Sequence, residues 1–387
     1  MGEGLIIIGG GTRGARKIDH EYQSFLKIDG RTCIEIVLDE ATRTDNSFPV
    51  YLWGHEDTLR EILSPIMKRE ENRREIHIVP EKSGPIDSLV FTCLEAFKGN
   101  GRKPKNISSP SEHLTGGDWN MQQAYAARND PGKLMFYLPS DIPLVSHEEI
   151  NFFIKNADQD YDLLMGWSLR DGLETAMKNL QKDQGHIDIP MTKTNFSRFI
   201  VNNQPVQARL NNLYCGRPLR INPDLYLFFQ RIYKNRNLIK KTYRMGKERN
   251  KIDLPNFLRL IKAFGRYVHM RKKECGTRVL AYGYFILNTH LHSLGLEGKN
   301  YRFINALTHS LRWIDKKPSS TYIDNKFIEE NILKLTGNRI GMYLSNVIGP
   351  LLDIDRKREY EFVKANFWRL RNSIEKYYAT YGLRKLP

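Results

Sequence analysis

The sequence predicts an α/β fold: a mostly parallel sheet with helices on both faces, joined in the C-terminal half to a largely helical, basic region. Three observations carry this. Short apolar runs of four or five residues, rich in β-branched and aromatic side chains, recur through the first part of the chain and read as buried strands. Helical stretches of about a dozen residues alternate with them, which makes right-handed βαβ units. The first run, Leu5-Ile6-Ile7-Ile8, opens straight into Gly9-Gly10-Gly11, and a strand followed by glycines lets backbone N–H groups approach an anion.

The elements follow in order. After the glycines comes a polar segment from Lys17 to Ser24, then Phe25-Leu26-Lys27-Ile28 with a turn at Asp29-Gly30. Thr32 and Glu35 are spaced as a capping box for a helix that buries Ile34, Val37, Leu38 and Ala41. Val50–Trp53 is a second strand. Glu56–Met67 is a second helix, bent or ended near Pro65. Ile76–Val79 is a third strand, and Ser83-Gly84-Pro85 opens a third helix with proline at its favoured first position. The stretch from Gly99 to Asn120 reads as a loop. Leu134–Leu138 is a strand that runs into Pro139-Ser140-Asp141-Ile142-Pro143-Leu144, and Ser146 with Glu149 forms a second capping box. Tyr161–Trp167 is a fifth strand, Arg170–Gln204 reads as irregular, and Gln207–Cys215 returns as a strand.

Beyond this, Tyr226 to Asn346 reads mainly as helices. Leu351–Asp355 then leads into a long amphipathic helix, with Tyr360, Val363, Phe367, Leu370, Ile374 and Tyr377 at steps of three and four. The expected organisation is a core over residues 1–222, a mainly helical basic insertion over 223–347, and a return strand with the C-terminal helix over 348–387.

Composition narrows the classes. The 387 residues are 40% hydrophobic and 11% aromatic, which argues for a folded chain with a full core. A net charge of +16 points to phosphate-bearing partners. Nine basic residues between Arg231 and Lys251 face a single acid, Glu248. That stripe reads either as a solvated helix face or as a site for an anionic acceptor, with nucleic acid or an anionic membrane surface less favoured. Cys33, Cys93, Cys215 and Cys275 form no close pair and read as free thiols. No run approaches a membrane span, and Met1-Gly2-Glu3-Gly4 lacks a basic leader, so the expected location is cytoplasmic.

In an open parallel sheet, ligands bind at the carboxyl ends of the strands. The glycine loop, the Gly84 loop and Asp141 all emerge there. Asp141 suits magnesium, which takes one or two carboxylates and completes its shell with phosphate oxygens and water. Asp353 and Asp355 flank Ile354 and point the same way on extended chain; they complete a metal site or cap the following helix at its positive end. Arg13 and Arg16 suit phosphate. His290 and His292 read as ordinary packing residues, and no nucleophile triad is present.

Taken together, the strand–Gly-Gly–Arg loop, Ile28-Asp29-Gly30-Arg31, Ser83-Gly84-Pro85, Leu138-Pro139-Ser140-Asp141-Ile142-Pro143-Leu144 and Asp353-Ile354-Asp355 resemble the MobA-like nucleotidyltransferases. The resemblance implies a Rossmann-like GT-A three-layer α/β/α sandwich. It also implies transfer of NMP from an NTP to a small, sugar-phosphate-like acceptor, with Mg²⁺ as cofactor and pyrophosphate released. By it, Ile8, Gly9, Gly10, Gly11, Thr12, Arg13, Gly84 and Ser88 hold the nucleotide, Asn211 and Asn212 meet the acceptor, and Asp141, Asp355 and Asp353 hold the metal. The family's lysine after the loop is replaced here by Gln23, which leaves Arg13, Lys17 and Lys27 as candidate catalytic cations. The competing readings are a catalytically silent nucleotide-binding relative and a GT-A glycosyltransferase using a nucleotide sugar.

Overall fold

The computed structural model describes residues 4–12, 17–70, 73–82, 84–96, 134–158, 160–184, 197–201, 203–217, 220–221, 323–324, 326, 329, 333 and 338–385. The chain forms two compact units, one of Met1–Thr194, Val206–Ile221 and Arg339–Pro387, the other of Asn195–Pro205 and Asn222–Asn338. In chain order the elements are β1 (Gly4–Gly9), β2 (Lys17–Ile18), β3 (Glu21–Tyr22), β4 (Lys27–Ile28), β5 (Arg31–Thr32), α1 (Cys33–Thr42), β6 (Val50–Gly54), α2 (Glu56–Glu70), β7 (Ile76–Pro80) and α3 (Pro85–Ala96). Then come β8 (Leu134–Pro139), α4 (His147–Asn156), β9 (Leu163–Leu169), α5 (Arg170–Gln184), β10 (Ser197–Val201), β11 (Gln204–Gly216), β12 (Ile323–Asp324), β13 (Ile340–Ser345) and α6 (Lys357–Tyr381). Of the second unit, the described strands are β10 and β12, which run parallel with Phe199 opposite Ile323.

The sheet of the first unit has the order β7-β6-β1-β8-β11-β9-β13. Six of these strands share one direction and β11 opposes them. Both faces of β1 are buried, so its sequence is continuously apolar rather than alternating. Ile6 and Ile8 join Val50, Leu52, Phe136 and Leu138 on one face, beneath Ile34, Val37 and Leu38 of α1, Leu59 and Leu63 of α2, and Ile150 and Phe153 of α4. Helix α3 covers the other face, with Cys93 Sγ 3.4 Å from Met135 Sδ. The result is the expected three-layer α/β/α sandwich.

Local signals explain the boundaries. Thr32 Oγ1 accepts from Glu35 N at 3.3 Å while Glu35 Oε2 accepts from Thr32 N at 2.6 Å, so both halves of the first capping box form. The Ser146–Glu149 box forms likewise. Asp29 and Gly30 have φ of 50° and 78°, as a tight hairpin turn between β4 and β5 requires.

Several expectations are corrected. Helix α2 continues through Pro65 to Glu70. Both Pro65 and Glu61, whose carbonyl loses its helical donor, lie on the exposed side of the helix. The fifth strand spans Leu163–Leu169, two residues beyond the expected Tyr161–Trp167. Arg170–Gln184, read as irregular, is a helix whose Leu173, Ala176, Met177 and Leu180 are buried at steps of three and four. The return strand is Ile340–Ser345, inside the stretch read as helical, and Gly349–Leu351 is a single 3₁₀ turn instead. The expected Gly99–Asn120 loop and most of the rest of the expected helical insertion, with the Arg231–Lys251 stripe, His290, His292 and Cys275, lie outside the described residues. No helix among the described residues is long and apolar enough to cross a membrane.

Candidate functional site

The site grows from the carboxyl ends of β1 and β8, which pair in parallel from Gly4↔Leu134 to Gly9↔Pro139. That register delivers the glycine loop and the Asp141 loop side by side. Ser140 N donates to Gly9 O at 3.2 Å, and Gly10 N donates to Trp53 O at 2.9 Å. Two further segments close on the same edge. Ser24 Oγ lies 2.7 Å from Ser140 Oγ, and Ile354 N donates to Asp141 O at 3.0 Å. Gln23 Nε2 donates to Ile354 O and lies 3.5 Å from Asp355 Oδ1. Segments near residues 10, 24, 141 and 354 are therefore laced together by hydrogen bonds.

Ile354 is fully buried while Asp353 and Asp355 on either side are half-buried, as an extended segment with its carboxylates on one face requires. Asp141 is also half-buried. Its charge reaches two neighbours: burial first, then Asp141, pushes up the Cys33 thiol pKa. Burial, then Asp353 and Asp141, does the same to the Tyr214 phenol. Among the described residues no group of three or more His, Cys, Asp or Glu could hold a metal by itself. Magnesium needs only one or two protein carboxylates when phosphate supplies the rest, and Asp141 with Asp355 fits that donor set. Asp353 is engaged differently, since its Oδ1 accepts from Arg209 Nη2 at 3.0 Å.

Space, rather than turning, is what requires glycine in the loop. Among the described residues only Gly30 and Gly382, of the glycines, have positive φ. A Cβ on Gly9 would sit 2.7 Å from both Trp53 Cζ2 and Tyr137 Oη, and one on Gly11 would sit 2.8 Å from Glu81 Oε2. Trp53 stacks on Tyr137 at 5.2 Å and 8°, and Tyr137 meets Tyr214 at 5.7 Å. This aromatic row underlies the loop. Glu81, just past β7, anchors the loop's outer limb: Thr12 N and Thr12 Oγ1 donate to its two oxygens, each at 2.7 Å.

The predicted residues fall into place unevenly. Ile8 points into the core, and Gly9 and Gly10 commit backbone groups to neighbouring strands, so they form the base of the loop rather than its anion-facing part. Thr12 N is held by Glu81. Arg13 and Arg16 lie outside the described residues. Gly84 is half-buried with open space where a Cβ would stand. Ser88, expected on the base side of the pocket, is 1% exposed and its Oγ accepts from Lys82 N at 2.9 Å, a bond that closes the loop before α3. Lys17 sits on the β2–β3 hairpin with Nζ 4.4 Å from the Tyr22 ring centre. Lys27 is exposed on the β4–β5 hairpin, whose carbonyl at Lys27 accepts from Tyr360 Oη at 2.9 Å.

Asn211, expected to meet the acceptor, has its side chain engaged within the sheet. It is fully buried, its Nδ2 donates to Ser168 Oγ at 3.0 Å, and its Oδ1 accepts from Leu213 N at 3.2 Å. It supports the irregularity where β11 shifts register against β9 between Leu210 and Tyr214. Asn212 has φ of 64° and is half-buried, with Nδ2 3.4 Å from Pro350 O. Sequence reasoning missed Glu81, Arg209 and Tyr214, which reach the site through long-range pairing alone. The one sequence signal was Glu81 following a strand directly, at the edge where ligands bind.

No family model matches the chain, and no curated protein does. Among solved structures it is similar to a hypothetical transferase from Thermus thermophilus, at 13% identity and a TM-score of 0.44 over 92% of this chain and 99% of that one. It is also similar to a CMP:2-keto-3-deoxy-manno-octonic acid synthetase complexed with CTP, at 8% identity and 0.32 over 64% and 86%. A third is 4-diphosphocytidyl-2C-methyl-D-erythritol synthase from Anaerococcus prevotii, at 13% identity and 0.31 over 59% and 74%.

Proposed function

We propose that the protein is a magnesium-dependent nucleotidyltransferase that moves NMP from an NTP to a small phosphorylated acceptor and releases pyrophosphate. The observation that carries this reading is the convergence at one sheet edge: Gly9 O bonded to Ser140 N, and Asp141 O bonded to Ile354 N between two aspartates. The resemblance of the same motifs to the MobA-like nucleotidyltransferases supports it.

In this reading the loop from Gly11 onward, with Arg13, binds the triphosphate, while Trp53 and Glu81 fix the loop's shape. Gly84, at the mouth of α3, leaves room for the base. Magnesium, held by Asp141 and Asp355, would neutralise charge on the phosphate oxygens around the α-phosphorus. An acceptor phosphate oxygen attacks the α-phosphorus as the bond to the bridging β-phosphate oxygen breaks, and the electron pair leaves with pyrophosphate. The protein's work is positioning and charge compensation, which dominate phosphoryl-type transfers. Gln23 Nε2 donates to Ile354 O and so helps orient the Asp353–Asp355 segment.

The test is pyrophosphate release from the four NTPs with Mg²⁺ and a panel of glucose 1-phosphate, ribitol 5-phosphate and phosphocholine. Turnover with one pair, reduced at least a hundredfold or so by Asp141→Asn, is the expected result. Turnover unchanged in that variant contradicts the site, and transfer of sugar rather than release of pyrophosphate contradicts the reaction.

A further inference from the structure

We infer that Arg209 binds the acceptor's phosphate, with Asp353 acting as the residue that positions it rather than as a metal ligand. This rests on the nucleotidyltransferase reading and adds to it a binding residue for the second substrate.

The argument starts from strand order. β8 lies between β1, which carries the glycine loop, and β11, which carries Arg209. β11 runs opposite to β8, with Tyr214 facing Tyr137 and Gly216 facing Met135. Residues of β11 on the far side of the register shift before Tyr214 therefore extend past Pro139, the last residue of β8, and overhang the edge where Asp141 begins. Arg209 stands on that overhang, paired with Ser168 of β9. The triphosphate loop is on one side of the Asp141 strand and Arg209 on the other. An in-line displacement needs its two phosphate-bearing reactants on opposite sides of the reacting centre.

The ion pair fixes what Arg209 can do. Its Nη2 donates to Asp353 Oδ1 at 3.0 Å, with the arginine side chain 26% exposed and the aspartate 18%. Guanidinium carries five N–H donors in a planar fork, so one bond to Asp353 leaves a bidentate edge for phosphate. Asp353 adjoins Ile354, whose backbone is bonded to Asp141. Arg209 is thus held by the same short segment that carries Asp355. Asn211, the expected acceptor contact two residues on, is turned inward, and the strand offers Arg209 instead.

The test uses inorganic phosphate as the acceptor fragment and the full-length chain. Thermal stability is followed as phosphate is titrated, first without nucleotide and then at saturating Mg²⁺ and the NTP that stabilises the chain most. Wild type is expected to show saturable stabilisation by phosphate on top of the Mg·NTP effect. Arg209→Gln should weaken apparent phosphate affinity about thirtyfold, the range of a charge-assisted hydrogen-bond pair, with Mg·NTP affinity unchanged. Arg209→Lys should fall between, since it keeps the charge without the fork. Asp353→Asn should lower phosphate affinity while leaving the Mg²⁺ dependence of NTP binding as in wild type.

Equal phosphate affinity in wild type and Arg209→Gln, or no saturable phosphate effect in either, overturns the assignment to Arg209. A loss of Mg²⁺-dependent NTP binding in Asp353→Asn overturns the division of labour between the aspartates. If wild type binds no NTP, the nucleotidyltransferase reading fails, and the titration without nucleotide still reports whether Arg209 holds phosphate.

Discussion

Glu149 ties the N-terminus of α4 to the segment that delivers Asp353 and Asp355, and removing it should be among the most destabilising single changes in the first unit. The carboxylate is fully buried. Its Oε2 accepts from Ser146 N at 2.9 Å; its Oε1 accepts from Ile348 N at 3.0 Å, from Gly349 N at 2.8 Å and from the Tyr378 hydroxyl. Gly349 packs so closely that a Cβ there would collide with Glu149 Oε2. Glu149→Ala strands three donors in a dry site, Ser146 N, Gly349 N and the Tyr378 hydroxyl, while Ile348 N keeps the Tyr378 oxygen at 2.7 Å as its acceptor. At about 1 kcal/mol for each unsatisfied donor, the cost is about 3 kcal/mol. Glu149→Gln keeps the oxygen that serves the 348–349 turn and places an amide against Ser146 N–H, for about 1–2 kcal/mol. Urea unfolding at neutral pH, followed by far-ultraviolet circular dichroism, measures both. A Glu149→Ala protein within about 1 kcal/mol of wild type would refute the claim that this carboxylate anchors the return segment.

Gly9→Ala should lose about 1–3 kcal/mol, because its methyl group would stand 2.7 Å from both Trp53 Cζ2 and Tyr137 Oη of the stacked pair; melting like wild type would contradict this. Arg74→Met should cost about 3 kcal/mol in the same urea assay, since the guanidinium donates to Ala41 O at 2.5 Å, to Thr44 O at 3.1 Å and to Asn46 O where α1 ends; an Arg74→Met variant as stable as wild type would show that water serves those carbonyls. Acid should destabilise the unit through Glu40. Burial alone would raise its pKa, but the Arg371 guanidinium and His147 outweigh it and hold the carboxyl below its usual range. The unfolded chain then binds protons first, so this stability is present above the ordinary carboxylate range and lost as pH falls through it. Arg371→Gln should flatten that limb in a pH series of thermal melts, and an unaltered limb would argue against the pairing.

What the sequence displayed was whatever is local. Both capping boxes, the Asp29-Gly30 turn, proline at the start of α3 and the buried stripe of α6 are encoded within a few residues, and each forms as spaced. Even the meeting of the glycine loop with Asp141 followed from alternation of strands and helices, because parallel strands put their carboxyl ends on one edge. The misreadings have tertiary causes. Gly172 and a run of charged residues hid α5, yet its Leu173, Ala176, Met177 and Leu180 bury a regular stripe. The strand Ile340–Ser345 carries glycine and tyrosine in a stretch of helical composition, and only its pairing with β9 makes it a strand. Glu81, Arg209 and the inward turn of Asn211 depend on partners 69, 144 and 43 residues away, beyond the reach of any local pattern.

The central claim is a pocket for a metal-bound triphosphate between the first glycine loop and Asp141. Its most direct test is the thermal shift of the purified chain with each of ATP, GTP, CTP and UTP, with and without Mg²⁺, in wild type and Asp141→Asn. The prediction is that one nucleotide raises the melting temperature in a Mg²⁺-dependent way and that Asp141→Asn abolishes the Mg²⁺-dependent part while melting like wild type without ligand. No nucleotide shift in wild type, or the same Mg²⁺-dependent shift in both proteins, would contradict it.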